Sequence, residues 1–225
     1  MTSVFFHPIS PLNEFQRIKG FSDFNKEEKK NILSFKYSGH QNRKILSRIF
    51  VKKSLATFLD MEPRSLLIKR DACNRPFLDN KDLGYSVDFN LSYSGDWMVL
   101  VVSDKGRVGV DIERIKQFDL KEVSSLVFNQ KEISFVNSQD NKMNSFYQIW
   151  TLKESFLKAC GKGLLSGPAL SKICFSISNG EIKLETPKFT NWQFKFIDFT
   201  DDHQVSLCSE IDGEFKVNYY KDPVL

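Results

Sequence analysis

The chain has 225 residues, of which 41% are hydrophobic and 27% charged, proportions that suit one globular unit or two small ones with sizeable cores. Its longest apolar run, WMVLVV, is far too short to span a bilayer, and its four cysteines are scattered without a Cys-x-x-Cys pair. These features argue against a membrane protein, a zinc site and a disulfide framework, and together with an N-terminus unlike a signal peptide they favour a cytoplasmic protein.

Positive charge is concentrated in the first half of the chain. The net charge is +4, yet residues 36–75 hold ten lysines or arginines against three acids. Such a segment favours an anionic partner: phosphates, nucleic acid or an acidic protein. Within it, Lys44, Arg48 and Lys52 form one stripe of a predicted helix over 39–60. This stripe is either a solvated face or a surface that docks acidic proteins or steers a polyanionic ligand.

The rest of the first half reads as strands. After the predicted helix, LLIKR resembles a short strand, and three further segments with β-branched and apolar residues follow in close order. Ser94-Gly95-Asp96 and Asp104-Lys105-Gly106 between them have hairpin-turn composition. We therefore predict an antiparallel meander of three strands over residues 89–94, 97–103 and 107–113.

The second half repeats this plan. Helices are predicted over 129–138 and 144–163, followed by five strands with Asn179-Gly180 and Asp212-Gly213 as hairpin turns. The order of helices followed by strands thus occurs twice in the chain. This repetition predicts an α+β fold of two similar halves that form a pseudo-dimer, with residues 1–110 and 111–225 as its two domains. A site is then expected in the cleft between the halves.

Two carboxylates stand on one face of the strand VGVDIE. Asp111 and Glu113 are two residues apart, so they share a face, while Val110 and Ile112 take the other. One interpretation is a solvated strand face. The other is a Mg²⁺ site, because Mg²⁺ takes hard oxygen ligands and completes its octahedron with water and substrate phosphate.

The helix over 144–163 carries charges in an unusual place. Lys153 falls near the centre of an apolar stripe that includes Trp150, and Glu154 lies at the edge of that stripe, one turn before Lys158. Lys153 could extend to solvent while Glu154 and Lys158 form a weak surface pair. Alternatively the helix is one wall of a cleft, with Lys153 pointing into it and a phosphate as the partner of the buried cation.

Five segments in order resemble the 4′-phosphopantetheinyl transferases of the large, pseudo-dimeric class. They are the helix that contains Arg43, N-R-P at 74–76, F-N-L-S-Y-S-G-D-W, V-G-V-D-I-E and W-T-L-K-E-S-F-L-K-A-C-G-K-G-L. The resemblance implies Mg²⁺-dependent transfer of phosphopantetheine from coenzyme A to a serine of an acyl or peptidyl carrier protein of fatty acid, polyketide or nonribosomal peptide synthesis. Adenosine 3′,5′-bisphosphate would be released.

The resemblance also implies roles for individual residues. Asp111, Glu113 and Glu154 would hold Mg²⁺, or Mn²⁺ in its place, against the coenzyme's pyrophosphate. Lys153 and Lys158 would lie near the pyrophosphate and offset charge on the leaving bisphosphate. Glu132 would help to deprotonate the attacking serine, unless a metal-bound hydroxide does so. Coenzyme-binding residues would be Arg43 at the 3′-phosphate, Asn74, Arg75 and Pro76 beside the adenine, and Ser92, Tyr93, Lys153 and Lys158.

Two segments depart from the family pattern. Tyr93 stands where the family usually has a His that helps to hold the 3′-phosphate, so discrimination against dephospho-coenzyme A is expected to be weaker. In N-R-P-F-L-D, Asn74 and Asp79 stand where the turn motif usually has Gly and a second Pro, and Asn tolerates left-handed backbone geometry.

Two other classes of protein stay open beside the transferase. A non-catalytic module that binds coenzyme A or a carrier protein is the main alternative, and a nucleic-acid-binding protein is disfavoured because no recognition motif is present. We expect a monomer without nucleic acid or membrane partners.

Overall fold

Two larger sheets, each covered on its outer face by one long helix, form the framework of the part of the chain that the structure describes, beside two short two-stranded sheets. The computed structural model describes residues 1–34, 38–79, 84–161, 170–186, 189, 191–210 and 215–219. Within these ranges, no helix is long and apolar enough to cross a membrane.

The first sheet belongs to the N-terminal half. Its strand order is β11-β1-β5-β4, with β11 parallel to β1 and the other pairs antiparallel. In chain order, the helices and strands of the N-terminal half are β1 (Thr2–Pro8), α1 (Glu14–Ser22), α2 (Lys26–Leu33), α3 (Ser38–Leu59), β2 (Ile68–Arg70), β3 (Pro76–Leu78), β4 (Asp88–Ser94) and β5 (Trp97–Ser103). Helix α3 packs on β5 and β1, and Phe50, Leu55, Phe89 and Leu100 are buried between them.

The second sheet belongs to the C-terminal half and has the order β6-β10-β9, all antiparallel. The remaining elements are β6 (Val108–Arg114), α4 (Leu120–Val127), α5 (Gln130–Ser138), α6 (Lys142–Cys160), β7 (Phe175–Ser178), β8 (Glu181–Leu184), β9 (Gln193–Phe196), β10 (His203–Ser209) and β11 (Phe215–Tyr219). Helix α6 lies across β6 and β10, and short 3₁₀ turns occur at Pro63–Ser65 and Leu170–Lys172.

The two sheets pack against each other through their inner faces. Val4 and Val101 of the first sheet meet Val110, Ile112 and Leu207 of the second in a shared core, and all five are fully buried. Helices α3 and α6 therefore lie against the outer faces of the two sheets, where α1 and α2 cover α3 and α5 packs on α6. The predicted α+β fold of two helix-plus-sheet halves is confirmed.

The predicted three-strand meander requires β6 to continue the first sheet, but the structure places β6 in the second sheet. Strands β4 and β5 form the expected hairpin, but β6 pairs with β10 instead of β5. The boundary predicted at 110/111 falls inside β6, so the two domain ranges stay a prediction. The C-terminal strand β11 also crosses back to the first sheet, although the sequence pattern places it in the second half.

The free edge of β6 is closed by side chains of β4, along a line that we call the seam. Polar residues recur at every second position of β4, facing β6, and accept hydrogen bonds from its backbone. The bonds run from Val108 N to Asp88 Oδ2 (2.9 Å), from Val110 N to Asn90 Oδ1 (3.0 Å) and from Arg114 N to Ser94 Oγ (3.0 Å). Because these three N–H groups find acceptors in side chains of β4, they stay hydrogen-bonded although β6 leaves the meander.

Two of the three residues of the basic stripe of α3 are engaged inside the first half. Arg48 and Lys52 both pair with Glu28 of α2, at 2.5 and 3.2 Å, and Lys52 also donates to the carbonyl of Asp23. Lys52 is only 2% exposed, whereas Lys44 is exposed. Arg48 and Lys52 are therefore not part of an open face, and the interpretations of the stripe stay predictions for Lys44 alone.

Candidate functional site

A pocket of about 320 Å³ opens where β4, β6 and α6 meet, between the two halves of the fold. Its lining residues are Leu91, Ser92 and Tyr93 of β4, Asp111 and Glu113 of β6, and Trp150, Glu154 and Lys158 of α6. The last three are four residues apart, which places them on one face of the helix. The pocket thus gathers the predicted metal ligands on two facing walls.

Gly109 lets α6 approach β6 closely enough to form this pocket. A Cβ at that position would lie 2.0 Å from the carbonyl oxygen of Ser155 and 2.6 Å from the backbone nitrogen of Ala159. Real structures essentially never contain such contacts, so only glycine fits beneath the helix backbone. The glycine of V-G-V-D-I-E therefore sets the distance between the strand that carries Asp111 and the helix that carries Glu154.

Asp111 lies at the floor of the pocket and is 2% exposed. Its Oδ1 accepts from Lys158 Nζ at 2.5 Å and from Ser92 Oγ at 2.9 Å, and Lys158 also donates to Ser92 Oγ at 2.8 Å. Burial raises the pKa of Asp111, while the Lys158 charge and the bonds from Lys158 and Ser92 act against that rise. Lys158 thus neutralises part of the charge of the carboxylates.

Glu113 stands beside Asp111 and accepts a hydrogen bond from Ser94 Oγ at its Oε2, at 2.8 Å. Trp150 lines the pocket on the side of α6. Burial and then the charge of Asp111 raise the pKa of Glu113, while the bond from Ser94, the nearby Trp150 side chain and the charge of Lys158 act against that rise.

Glu154 faces these two carboxylates from α6. Burial first, and then the charge of Asp111, raise the pKa of Glu154 to about 7, against the lowering effect of Lys158. Three carboxylates around one pocket repel one another, and the cluster holds more negative charge than Lys158 can balance. A bound cation would relieve this repulsion.

The carboxylates suit Mg²⁺ or Mn²⁺ by their chemistry. Glu154 Oε1 and Asp111 Oδ2 are buried and, among the described residues, without a hydrogen-bond partner. Within that same part of the chain, no three Asp, Glu, His or Cys side chains close around a point that a metal would fill. Mg²⁺ does not require such a cage, since it commonly keeps several waters and binds through one or two carboxylates plus substrate phosphate.

At the rim of the pocket, Arg43 of α3 lies over the ring of Tyr93. The guanidinium carbon is 5.3 Å from the ring centroid, which is within the range of a cation–π contact. Tyr93 is half exposed. The two residues therefore form one cationic corner on the side of the pocket that belongs to the first half.

The Asn74-Arg75-Pro76 segment forms a tight turn between β2 and β3. Asn74 has φ of +63°, the left-handed geometry that the sequence predicts it to tolerate. Asp71 Oδ1 accepts from the backbone nitrogen of Arg75 at 2.9 Å. The Arg75 guanidinium leaves the turn and bonds Asp88, the carbonyl of Val108 and the carbonyl of Lys158, so it ties this turn to α6.

Glu132 and Lys153 do not reach the pocket, contrary to the orientation expected for Lys153. Both side chains are fully buried, and Lys153 Nζ lies 2.6 Å from Glu132 Oε2. Lys153 also donates to the carbonyls of Val127 and Leu170, and Glu132 Oε1 accepts from the backbone nitrogen of Phe175 at 2.9 Å. The buried cation does have an anionic partner, but that partner is a side chain of α5 and not a phosphate.

A search of the sequence for charged residues misses two residues at the pocket. Trp150 is part of the apolar stripe of its helix, yet it lines the pocket, and Ser94 belongs to a predicted turn, yet it donates a hydrogen bond to Glu113. The alternation of polar residues at 88, 90, 92 and 94 was the available signal for Ser94, because strand residues two apart share a face.

Comparison with known proteins identifies similar chains over nearly the whole sequence. Residues 107–208 match the family model described as the 4′-phosphopantetheinyl transferase superfamily, and residues 13–105 match the one described as 4′-phosphopantetheinyl transferase, N-terminal. The second model ends and the first begins between β5 and β6, where the chain passes from one sheet to the other.

Three individual relatives illustrate the similarity. An L-aminoadipate-semialdehyde dehydrogenase-phosphopantetheinyl transferase of Xenopus laevis is 31% identical over 211 residues, which are 83% of this chain and 68% of that protein. The 4′-phosphopantetheinyl transferase gsp of Aneurinibacillus migulanus is 30% identical over 64% of this chain and 58% of its own length. The 4′-phosphopantetheinyl transferase Sfp of Bacillus subtilis (strain 168) is 25% identical over 79% of this chain and 77% of its own.

Proposed function

This chain belongs to the 4′-phosphopantetheinyl transferase superfamily, and from that premise we propose that its pocket transfers phosphopantetheine from coenzyme A to a carrier-protein serine. The carrier would be an acyl or peptidyl carrier protein. The observation that carries this proposal is the convergence of Asp111, Glu113, Glu154 and Lys158 on one pocket between the halves.

The reaction is a displacement at phosphorus. The serine oxygen forms a bond to the phosphorus next to pantetheine and gives up its proton to water, and the P–O bond of the pyrophosphate breaks to release adenosine 3′,5′-bisphosphate. Such transfers depend on positioning and charge stabilisation more than on a protein nucleophile. Accordingly, the pocket offers carboxylates for a divalent cation and an ammonium group for the phosphates.

We assign Asp111, Glu113 and Glu154 to the divalent cation, Mg²⁺ or Mn²⁺, which would neutralise charge on the pyrophosphate when bound. Lys158 would contact the phosphates, and the corner of Arg43 and Tyr93 would contact the 3′-phosphate. Ser92 holds Asp111 and Lys158 together. The Asn74–Pro76 turn would border the adenine through its backbone, since the Arg75 side chain is engaged elsewhere.

Glu132 and Lys153 have no direct part in this proposal. The oxygens of Glu132 accept hydrogen bonds from Asn129, Lys153 and Phe175 inside the core. They are therefore turned away from any serine that enters the pocket. All assigned groups come from one chain, which supports a monomer as the active form.

Mass spectrometry of the carrier tests the proposal. Apo carrier proteins of the fatty acid, polyketide and peptide types are incubated with the protein, coenzyme A and Mg²⁺. We expect at least one of them to gain the mass of one phosphopantetheine arm, and EDTA or Asp111→Ala to abolish the gain. No gain on any carrier would contradict transfer, and tight binding of coenzyme A without any gain would indicate a non-catalytic binding module.

A further inference from the structure

Lys158 bonds one of the carboxylates that we assign to the divalent cation. Its Nζ lies 2.5 Å from Asp111 Oδ1 and 2.8 Å from Ser92 Oγ, and Ser92 Oγ in turn donates to the same Asp111 oxygen at 2.9 Å. The three polar atoms form a closed triangle at the floor of the pocket. The ammonium group of Lys158 is thus a built-in counter-ion of Asp111.

Other carboxylate oxygens of the cluster are open to a cation. Among the described residues, Asp111 Oδ2 and Glu154 Oε1 are buried and have no hydrogen-bond partner. A divalent cation held by these oxygens would share the Asp111 carboxylate with the Lys158 ammonium. Two positive charges that are neighbours in a buried site repel each other strongly. Lys158 and the cation therefore compete for Asp111 through their charge, although the carboxylate has two oxygens.

The backbone of Lys158 is fixed, whereas its side chain can move. The Lys158 carbonyl accepts from the Arg75 guanidinium and from the backbone nitrogen of Gly161, the latter at 3.2 Å. The Lys158 side chain is 28% exposed, while that of Asp111 is 3% exposed. Lysine carries a point charge on a flexible stem, so its ammonium group can leave one anion for another without a movement of the helix.

We propose that Lys158 is a placeholder, a cation that gives up Asp111 to the divalent metal and moves to the phosphates of coenzyme A. The inference rests on the proposed function, which supplies the metal and the phosphates. A phosphate in the pocket offers the displaced ammonium a new partner, so bound coenzyme makes the displacement easier. By linkage, the metal and the coenzyme then strengthen each other's binding by the same factor.

A placeholder and a supporting residue predict opposite effects on metal binding. If Lys158 only held Asp111 in position, its loss would weaken metal binding, as the loss of a group that orients a metal ligand usually does. If Lys158 competes with the metal, its loss tightens metal binding in the absence of coenzyme. The direction of one change therefore separates the two roles.

Binding of Mn²⁺ measures this direction. Free Mn²⁺ is quantified by electron paramagnetic resonance during titration of the protein, alone and with coenzyme A, and a titration of coenzyme A without protein is subtracted. We expect coenzyme A to lower the Kd of the wild type for Mn²⁺ by about tenfold, within the usual range for coupled sites. Lys158→Met keeps the stem and removes the charge. It should lower the Kd without coenzyme by a similar factor and respond less to coenzyme.

Two further variants control for the charge itself. Lys158→Arg keeps a cation that can bond Asp111, so its Kd for Mn²⁺ without coenzyme should stay near that of the wild type. Arg43→Gln removes the same charge from the rim of the pocket, where the guanidinium lies over the Tyr93 ring. Without coenzyme, it should change the Kd for Mn²⁺ much less than Lys158→Met does.

Melting temperatures give a second readout that requires neither transfer nor coenzyme. Loss of the Lys158 charge leaves the repulsion among the carboxylates unbalanced, so Lys158→Met should melt below the wild type in EDTA. A ligand that binds only the folded state stabilises it according to its affinity. Mn²⁺ should therefore raise the melting temperature of Lys158→Met more than that of the wild type. Lys158→Gln, which keeps a hydrogen-bond donor, takes its place if Lys158→Met does not fold.

The placeholder is wrong if the folded uncharged variant binds Mn²⁺ without coenzyme no more tightly than the wild type does. It is also wrong if coenzyme A leaves the Kd of the wild type unchanged, or if the wild type binds no Mn²⁺ under either condition. The proposed function fails in a different way. A wild type that binds Mn²⁺ and coenzyme A but modifies no carrier contradicts transfer, while tighter Mn²⁺ binding by Lys158→Met would still support the placeholder.

Discussion

Under the proposed function, Tyr93 would decide how the pocket recognises a 3′-phosphate. Its ring supports the Arg43 guanidinium at 5.3 Å, and its phenol can donate one hydrogen bond but brings no positive charge. A histidine at this position would add a second group that can carry a positive charge. A second charge-assisted hydrogen bond would be stronger than a neutral one.

We predict that Tyr93→His increases the preference for coenzyme A over dephospho-coenzyme A. The kcat/KM ratio of the two substrates should rise by about tenfold at pH 6, where a histidine with an ordinary pKa is largely charged, and by less at pH 8. Tyr93→Phe keeps the ring under Arg43 and serves as the control for the hydroxyl. Equal ratios in the wild type and Tyr93→His would contradict the assignment of this corner.

Glu154 makes the stability of the metal-free protein depend on pH. Its pKa is raised from 4.5 to about 7 in the folded state. Between these two values the native protein holds a proton that the unfolded chain has released, so the free energy of unfolding falls as pH rises through this window. Thermal unfolding in EDTA from pH 5 to 8 should show this loss of stability, and the Glu154→Gln variant should lose less stability over the same range. Parallel curves for the two proteins would count against the raised pKa.

Lys153 illustrates what a single sequence can and cannot decide. Its place in the apolar stripe of α6 required an anionic partner, and the structure supplies one. The partner is Glu132, 21 residues earlier in the chain, inside the second half. A side-chain carboxylate and a coenzyme phosphate satisfy the same electrostatic requirement, so the sequence established the need for an anion but not its identity.

At the scale of elements, the close contact between β6 and α6 depends on Gly109. We predict that Gly109→Ala destabilises the protein by about 3 kcal/mol, the upper part of the range for overpacked interiors, because the clash is with helix backbone that cannot move aside. Urea unfolding measures the change. Gly180→Ala is the comparison, since that site has open space and only a positive φ of 82°. It should cost about 1 kcal/mol.

Elements with strong local signals were predictable, and long-range pairings were not. The periodicity of α3 and α6 and the Asn179-Gly180 hairpin are confirmed, while Asp212-Gly213 lies outside the described residues. The partners of strand β1 could not be predicted from turn residues, because its neighbours in the sheet, β5 and β11, are far away in the sequence. The departure of β6 from the meander depends on side chains of β4 that replace a strand partner, which turn composition cannot reveal.

At the scale of the molecule, Arg75 joins the two halves. It contacts Asp88 of the first sheet, Val108 of the second and the last turn of α6. We predict that Arg75→Gln lowers the free energy of unfolding by about 2 kcal/mol, as expected for charged hydrogen bonds. Hydrogen exchange should also quicken at the C-terminal end of α6.

Arg107→Gln is the control for this prediction. Arg107 also bonds the end of α6, through the carbonyl of Cys160 at 3.2 Å, but it is exposed and has no contact with the Asn74–Pro76 turn. Its replacement should have a smaller effect on both measurements. Equal effects would mean that Arg75 only caps the helix.

The pairing of β11 with β1 has a consequence for the order of events during synthesis. Residues 2–6 emerge from the ribosome long before residues 215–219, with which they pair. At roughly 5 to 20 residues per second, the first strand waits about 10 to 40 s for its neighbour. During that interval an edge of the nascent sheet offers unpaired amides to any extended peptide nearby. A newborn chain therefore exposes this strand edge until residues 215–219 have been synthesised.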